Sequence, residues 1–156
     1  MKVKEQNIGI VGRVRLQQFR DGVCIKDTGF MKNIITNAGK AQIALLAGDA
    51  SATPFTYLAL GTSPTAVAVT DTALGAEITD TGLARAGATV SRTTTSVTND
   101  TLSMTYTWIA TGAKTIEEIG IFNASSSGTM LGHKLTGSLV TANADQVVAT
   151  YTVQFA

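Results

Sequence analysis

The chain has 156 residues, of which 44% are hydrophobic and 15% charged, and its formal net charge is +1. This composition excludes an intrinsically disordered chain, and the length is sufficient for one domain with a buried core. The single cysteine excludes an internal disulfide, and no apolar run approaches the ~18 residues of a membrane-spanning helix. We therefore expect residues 1–156 to form a single β-domain, with residues 1–6 as a candidate docking arm.

The N-terminal part of the chain predicts a β-hairpin. Residues 7–16 alternate between apolar and polar side chains, which is typical of a half-buried strand with Arg13 and Arg15 on the solvent face. The Asp-Gly pair at 21–22 is a strong hairpin turn signal. The return strand passes through Cys24, which lies in an apolar run and is expected to be packed and unreactive.

One helix is expected, at about residues 37–47. Thr36 or Asn37 can cap it, because a short polar side chain accepts hydrogen bonds from free backbone N–H groups, and Gly48 can end it. Helical spacing puts Ile43, Leu46 and Ala47 on one side of the helix, and we expect this apolar side to pack on a neighbouring sheet.

Further strands are expected at residues 55–60, 84–97, 102–108, 116–122, 130–135 and 147–155. The period-2 pattern is cleanest at 102–108, where Tyr106 and Trp108 are expected to anchor the core. The strand at 130–135 is expected to be short and at a sheet edge. Residues 65–84 are expected to form a long loop able to reach a neighbour, with a capped or helical turn at residues 71–75. The fold class is therefore mainly β: an antiparallel β-sandwich or jelly roll with one short α-helix.

The sequence offers little for catalysis. A single histidine, His133, and a single cysteine cannot supply a zinc site. The residue counts leave a Ser-His-Asp triad open, but the chain has no nucleophile elbow of the GxSxG type. Glu117 and Glu118 should point to opposite sides of a strand, the inward one towards Arg85 or Arg92. Three further acidic side chains could gather around a cation, although they lack the regular spacing of a metal-binding motif: Asp71, Glu77 and Asp80. We expect no enzymatic activity, no cofactor and no metal.

Charge is unevenly distributed along the chain. Residues 1–40 carry eight basic and three acidic side chains, and the remainder carries four basic and eight acidic ones. The basic part predicts a docking surface formed by Lys2, Lys4, Arg13, Arg15 and Arg20. The alternative is that these charges scatter over the folded surface and are segregated only in sequence.

Four segments occur in an order that resembles a known family: 33–39 (NIITNAG), 57–62 (YLALGT), 71–77 (DTALGAE) and 115–123 (TIEEIGIFN). The chain resembles small structural proteins of tailed bacteriophages, assigned to the head surface, tail or tail fibres, and the likeness spans about residues 33–155. The resemblance implies a β-rich virion component that works as a symmetric oligomer, with a trimer favoured. It supplies no catalytic residues.

Two functional hypotheses follow, and both place the protein in the virion after synthesis in the host bacterial cytoplasm. The first is a capsid decoration (cement) protein that binds the major capsid protein and stabilises the head by mass action. The second is a tail or tail-fibre component with an adaptor or receptor-binding role, using loops at 63–82 or 123–129. Further copies of the chain and other virion proteins are the expected partners. Neither a membrane nor a specific nucleic acid is expected.

Overall fold

The computed structural model describes residues 9–156, and its elements fall in the following order. The strands are β1 (Ile10–Arg20), β2 (Val23–Asp27), β3 (Met31–Lys32), β4 (Ile34–Ile35), β5 (Tyr57–Gly61), β6 (Ala86–Gly87), β7 (Thr89–Thr93), β8 (Thr101–Ile109), β9 (Lys114–Phe122), β10 (Met130–Thr141) and β11 (Gln146–Phe155). The helix α1 (Asn37–Gly48) lies between β4 and β5. Across this described range, no helix combines the length and apolar character needed to cross a membrane.

The strands form two antiparallel sheets. Sheet A has the order β2-β1-β11-β8-β7, with β3 also paired to β1, and sheet B has the order β4-β10-β9-β5-β6. The main hydrophobic core combines buried side chains of both sheets. The predicted fold class, a mainly β antiparallel sandwich with one short helix, is confirmed.

Strand β8 shows why alternation identified the core so well. Met104 and Trp108 are buried, whereas Thr105 and Thr107 are exposed. The Trp108 Nε1–H donates to the Ala84 carbonyl oxygen at 2.8 Å, which satisfies its one polar group. The ring of Tyr106 meets that of Trp108 edge-on, with centroids 4.9 Å apart. Both rings contribute to the core, as predicted.

The predicted β1–β2 hairpin is confirmed, but its cysteine is placed differently. Asp21 and Gly22 have φ values of 49° and 77°, in the left-handed region required by a two-residue hairpin turn. Every residue of β2 is exposed, because β2 is an edge strand whose side chains lie outside the sandwich. Cys24 is therefore an exposed thiol, and the expectation that it is packed was wrong.

Helix α1 begins and packs largely as predicted. Thr36 is the N-cap, and its Oγ1 accepts from the Gly39 N–H at 2.9 Å. A Cβ atom at Gly39 would overlap the backbone of Leu131, so glycine allows the helix to approach β10 closely. Ile43 and Leu46 pack against the core. Ala47 is exposed, contrary to prediction, because the buried line follows positions 39, 43 and 46 and Ala47 lies off it.

Two strand predictions were wrong. Strand β10 has 12 residues and lies between β4 and β9, so it is neither short nor at an edge. The single strand expected at 84–97 is divided at Ala88, because β6 pairs with β5 in sheet B and β7 pairs with β8 in sheet A. Ala88 marks this change of sheet, and its N–H donates to the Thr56 carbonyl oxygen at 2.8 Å.

The first part of the connection 62–85 covers the outer side of sheet B, whereas Ile78 and Leu83 further along it are buried in the main core. On the outer side, Leu74 packs against three side chains of the sheet, forming a second apolar cluster: Ala59, Phe122 and Met130. No helical turn forms at 71–75; instead the Asp71 carboxylate accepts from the Ala68 N–H at 2.8 Å and closes the preceding turn. The loop expected to reach a neighbour therefore lies on the protein's own sheet.

The core between the sheets predicts the stability effect of a single truncation. Leu16 is fully buried on β1, so Leu16→Ala should lower the free energy of unfolding by about 2–5 kcal/mol, through lost burial and an unfilled cavity. Val140→Ala is the matched control, because Val140 is 58% exposed and its loss should change stability by less than about 0.5 kcal/mol. Urea titration followed by tryptophan fluorescence measures both. Equal effects of the two variants would contradict the described core.

Candidate functional site

A buried charged cluster lies on the outer side of sheet B, where β9, β10 and the loop 62–85 meet. His133 on β10 is 3% exposed, and its ring nitrogens contact carboxylates on both sides. Nδ1 is 2.8 Å from Asp71 Oδ2, and Nε2 is 2.8 Å from Glu118 Oε2. The cluster therefore joins two adjacent strands of one sheet to the loop that covers them.

Glu118 is 1% exposed and is surrounded by hydrogen-bond donors. Its Oε1 accepts from the Ala76 N–H at 2.9 Å and, at 3.3 Å, from the Ser63 N–H. Its Oε2 accepts from the Gly75 N–H at 3.0 Å in addition to its contact with His133. These bonds compensate for removing a carboxylate from water and hold the loop at residue 63 and at residues 75–76.

Gly61 explains how the carboxylate reaches this position. A Cβ atom at Gly61 would overlap the Glu118 carboxylate, so glycine at the end of β5 leaves the room that the carboxylate occupies. One glutamate of the Glu117–Glu118 pair is buried and the other is partly exposed, as predicted. The predicted arginine partner of the inward glutamate was wrong, since that partner is His133.

The three groups shift one another's pKa. Burial alone would lower the pKa of His133, but hydrogen bonds and charge attraction from Glu118 and Asp71 outweigh it, and the pKa lies above its usual value. Burial would raise the pKa of Glu118, but bonds from His133, Ala76 and Gly75 lower it overall. The Ala68 N–H, followed by His133, lowers the pKa of Asp71. All three groups therefore favour their charged forms.

The geometry of His133 differs from that of a catalytic triad. In a triad, one imidazole nitrogen faces the nucleophile and the other faces an acid. Both nitrogens of His133 face carboxylates, and the Ser63 hydroxyl lies near Thr65 instead, at 3.0 Å. The adjoining cavity has a volume of only about 70 Å³. The arrangement is therefore suited to holding the loop, and neither ring nitrogen is placed to take a proton from a hydroxyl group.

A second charged contact holds the loop further along. Arg85 pairs with Glu77 through two hydrogen bonds, of 2.8 and 2.6 Å. Its Nη1 group donates to the carbonyl oxygens of Ala124 and Ser127, and the guanidinium carbon lies 3.7 Å from the ring centroid of Phe122. Arg85 thus holds the connection between β9 and β10 against the same side of sheet B.

The acidic side chains considered as a cation site are separated in the fold. Each contacts a different cationic group: Asp71 contacts His133, Glu77 contacts Arg85, and Asp80 contacts Lys114. Between residues 9 and 156, no group of three His, Cys, Asp or Glu side chains is placed to hold a metal ion.

The predicted docking cations have different surroundings. Arg15 pairs with Asp27 on the neighbouring strand, with Nε 2.9 Å from Oδ1. Arg20 pairs with the buried Asp145 through bonds of 2.8 and 2.7 Å, and the Arg20 contact is the main reason that the pKa of Asp145 lies far below its usual value. Arg13 has no such partner within the described range. Lys2, Lys4 and the arm at 1–6 lie outside the described residues, so the docking surface stays a prediction.

Most of the chain matches one known protein family. Residues 35–154 match the model of a family described as "Podophage GP4 fiber I protein gp80". The β-fold together with this match identifies a structural protein of tailed-phage particles, as the sequence segments suggested. More narrowly, the chain belongs to the family of the podophage GP4 fiber I protein gp80, since the match covers well over half of its length. No curated protein and no solved structure matches the chain.

The family match bears unequally on the two functional hypotheses. The family is that of a fibre protein, which supports the tail-fibre alternative and gives no specific support to capsid decoration. It also agrees with a structural rather than a catalytic protein. The segments that carried the resemblance include Gly61, Asp71, Gly75 and Glu118, so they coincide with the buried cluster and the glycines beside it.

The carboxylate of Glu118 can be tested by an isosteric change. Glu118→Gln replaces one oxygen by an amide group that cannot accept from the N–H groups facing it, and should lower the free energy of unfolding by about 3 kcal/mol. Glu117→Gln is the matched control, because Glu117 is only partly buried and should change stability little. Urea titration measures stability, and hydrogen exchange should show residues 62–76 opening in Glu118→Gln. Unchanged exchange in this segment would contradict the proposed hold on the loop.

The cluster also predicts a pH dependence. The stabilisation from charged His133 is fully present below its unfolded pKa of about 6.5 and is lost as pH rises through its raised folded pKa. The contributions of Glu118 and Asp71 are present above their unfolded pKa values, near 4, and are lost as pH falls through the lowered folded values. The cluster should therefore stabilise the fold most between about pH 4.5 and 6.5.

Because His133 is the only histidine in the chain, its titration can be followed alone. Unfolding free energies from pH 5 to 9 should decline towards alkaline pH, and the decline should disappear in His133→Gln. Cys24→Ser is the control, because it changes an exposed side chain on sheet A, away from the cluster, and should leave the decline in place. NMR of labelled histidine should give a pKa above 6.5, and a value below it would contradict the ion-paired cluster.

Proposed function

We propose that the protein is a non-enzymatic component of a phage tail fibre. The observation that carries this proposal is the family match over residues 35–154 to a fibre protein. The fold is compatible with a structural role, because its buried charges hold loops against a sheet and join distant parts of the chain. In this role the protein acts as an adaptor or as a receptor-binding element at the tail.

The side of sheet B covered by the loop is the part best suited to recognition. The two loops expected to recognise a receptor are residues 63–82 and 123–129, and Glu118 and Arg85 hold parts of both. A surface fixed before binding loses less conformational entropy when a partner docks. Many exposed side chains there are small and uncharged, including Thr65, Ala66, Thr70, Thr72, Ser125 and Ser126.

The position on the particle separates fibre from capsid decoration. Purified particles would be split into tails and DNA-filled heads, and the chain quantified in each fraction against the major capsid protein. We expect it to leave with the tail fraction, in far fewer copies than the capsid protein. Retention on tail-free heads, in numbers comparable to the capsid protein, would instead establish a head protein and overturn the proposal.

A further inference from the structure

The two ends of strand β1 carry complementary surfaces. The first is the hairpin tip, residues 21–25, which follows the last residue of β1. Its turn is fixed by the left-handed backbone of Asp21 and Gly22, so the tip is a preformed projection. Val23 is 63% exposed, and Ile25, two residues further along the chain, is 48% exposed. These fractions are high for large apolar side chains.

The hairpin tip also carries an acidic charge. Asp21 is exposed and takes part in no ion pair within residues 9–156. The charge of the adjacent Arg20 is already balanced by the buried Asp145, to which its Nε and Nη2 groups donate, so the Asp21 carboxylate adds a net negative charge at the tip. The tip therefore presents one carboxylate beside exposed apolar side chains.

The second surface is a basic groove beside the first residues of β1. It has a volume of about 380 Å³ and a mainly apolar floor, and its lining includes Ile10, Val11, Ile34 and Val69. Lys32 and Lys40 add the positive charge. This groove matches the hairpin tip in chemistry, with apolar surface and the opposite charge.

The cations around the groove have no acidic partner among the described residues. Lys32 lies directly opposite Arg13 in the β1–β3 register, an arrangement in which like charges repel. Lys40 lies in the first turn of α1, which contains no acidic side chain, and a helix N-terminus disfavours a cation. Both features would be relieved by a carboxylate placed in the groove.

The hairpin tip of one copy cannot reach the groove of the same copy. Strand β1 has 11 residues and rises about 3.3 Å per residue, so the two surfaces are separated by roughly 35 Å. We propose that the hairpin tip of one copy docks in the basic groove of a second copy. Such a contact joins different surfaces of the two partners, so it either closes into a ring or extends as a chain of copies. This proposal does not depend on where the protein lies on the particle.

Charge reversal tests the proposal in both directions. Asp21→Lys alters only the tip, and the double variant Lys32→Glu, Lys40→Glu alters only the groove. Each alone should associate roughly tenfold more weakly than the unmodified chain in sedimentation velocity, because like charges then meet. An equimolar mixture should recover association, since each altered tip meets a groove of opposite charge and each unaltered tip meets an unaltered groove.

Further variants separate the contribution of charge to the association from that of apolar contact. Asp21→Asn keeps a residue suited to the left-handed turn and removes the charge. It should therefore weaken the association and make the association less dependent on salt. Val23→Thr keeps the branched shape and should weaken association without changing the salt dependence. Asp49→Lys, an exposed acidic position on another surface, is the charge control and should have no effect. Circular dichroism of every variant verifies that the fold is retained.

Three outcomes would overturn the proposal. One is an unmodified 156-residue chain that stays monomeric at every concentration; another is reversal variants that associate as strongly as the unmodified chain. The third is a mixture that fails to recover association. A 156-residue chain that is monomeric while residues 9–156 associate would mean that residues 1–8 prevent the contact. That result would also exclude the proposed contact in the 156-residue chain.

Discussion

A carboxylate buried on the side of a sheet must be fully hydrogen-bonded, and much of the structure is arranged to meet this requirement. Glu118 meets it with three backbone N–H groups from residues 63–76 and one imidazole nitrogen from β10. Because the donors come from a loop, satisfying the carboxylate also fixes the course of that loop. The loop in turn covers the second apolar cluster and gives sheet B two covered sides, where antiparallel sheets often leave one side in water.

The parts of the fold that could be predicted are those where one side of a strand meets the core and the other meets water. Strands β1, β8 and β11 have this environment, so their side chains alternate and their positions were found. Strand β10 lacks the pattern because its pairing with β9 shifts register twice and Gly137 adopts a left-handed conformation. The break at Ala88 was missed although the composition changes there, from alanine and glycine before it to threonine and serine after it, because composition does not show with which sheet a short segment pairs.

The site was harder to predict because its contacts join residues far apart in the chain. Glu118 and His133 were noticed separately, and nothing in their spacing showed that the loop 62–76 would supply the other partners. The available signal was the glycine at position 61, which ends a strand opposite the carboxylate. The same limit applies to the cations of β1, since the partner of Arg20 lies 125 residues away and composition cannot show which charges are neutralised. The family match adds the biological setting that neither pattern nor geometry contains.

The covering loop is attached to the rest of the protein in two different ways. Residues 62–76 are attached mainly through a carboxylate, because three of their backbone N–H groups donate to Glu118, and Asp71 adds a contact with His133. Residues 77–85 are attached through the Arg85–Glu77 pair and through Ile78 and Leu83, which are buried in the main core. Loss of the His133 charge at alkaline pH should therefore weaken only the contacts of the imidazole, while Glu118 keeps its backbone donors. The histidine thus adjusts how firmly one turn of the loop is held, and the buried carboxylate keeps the loop in place.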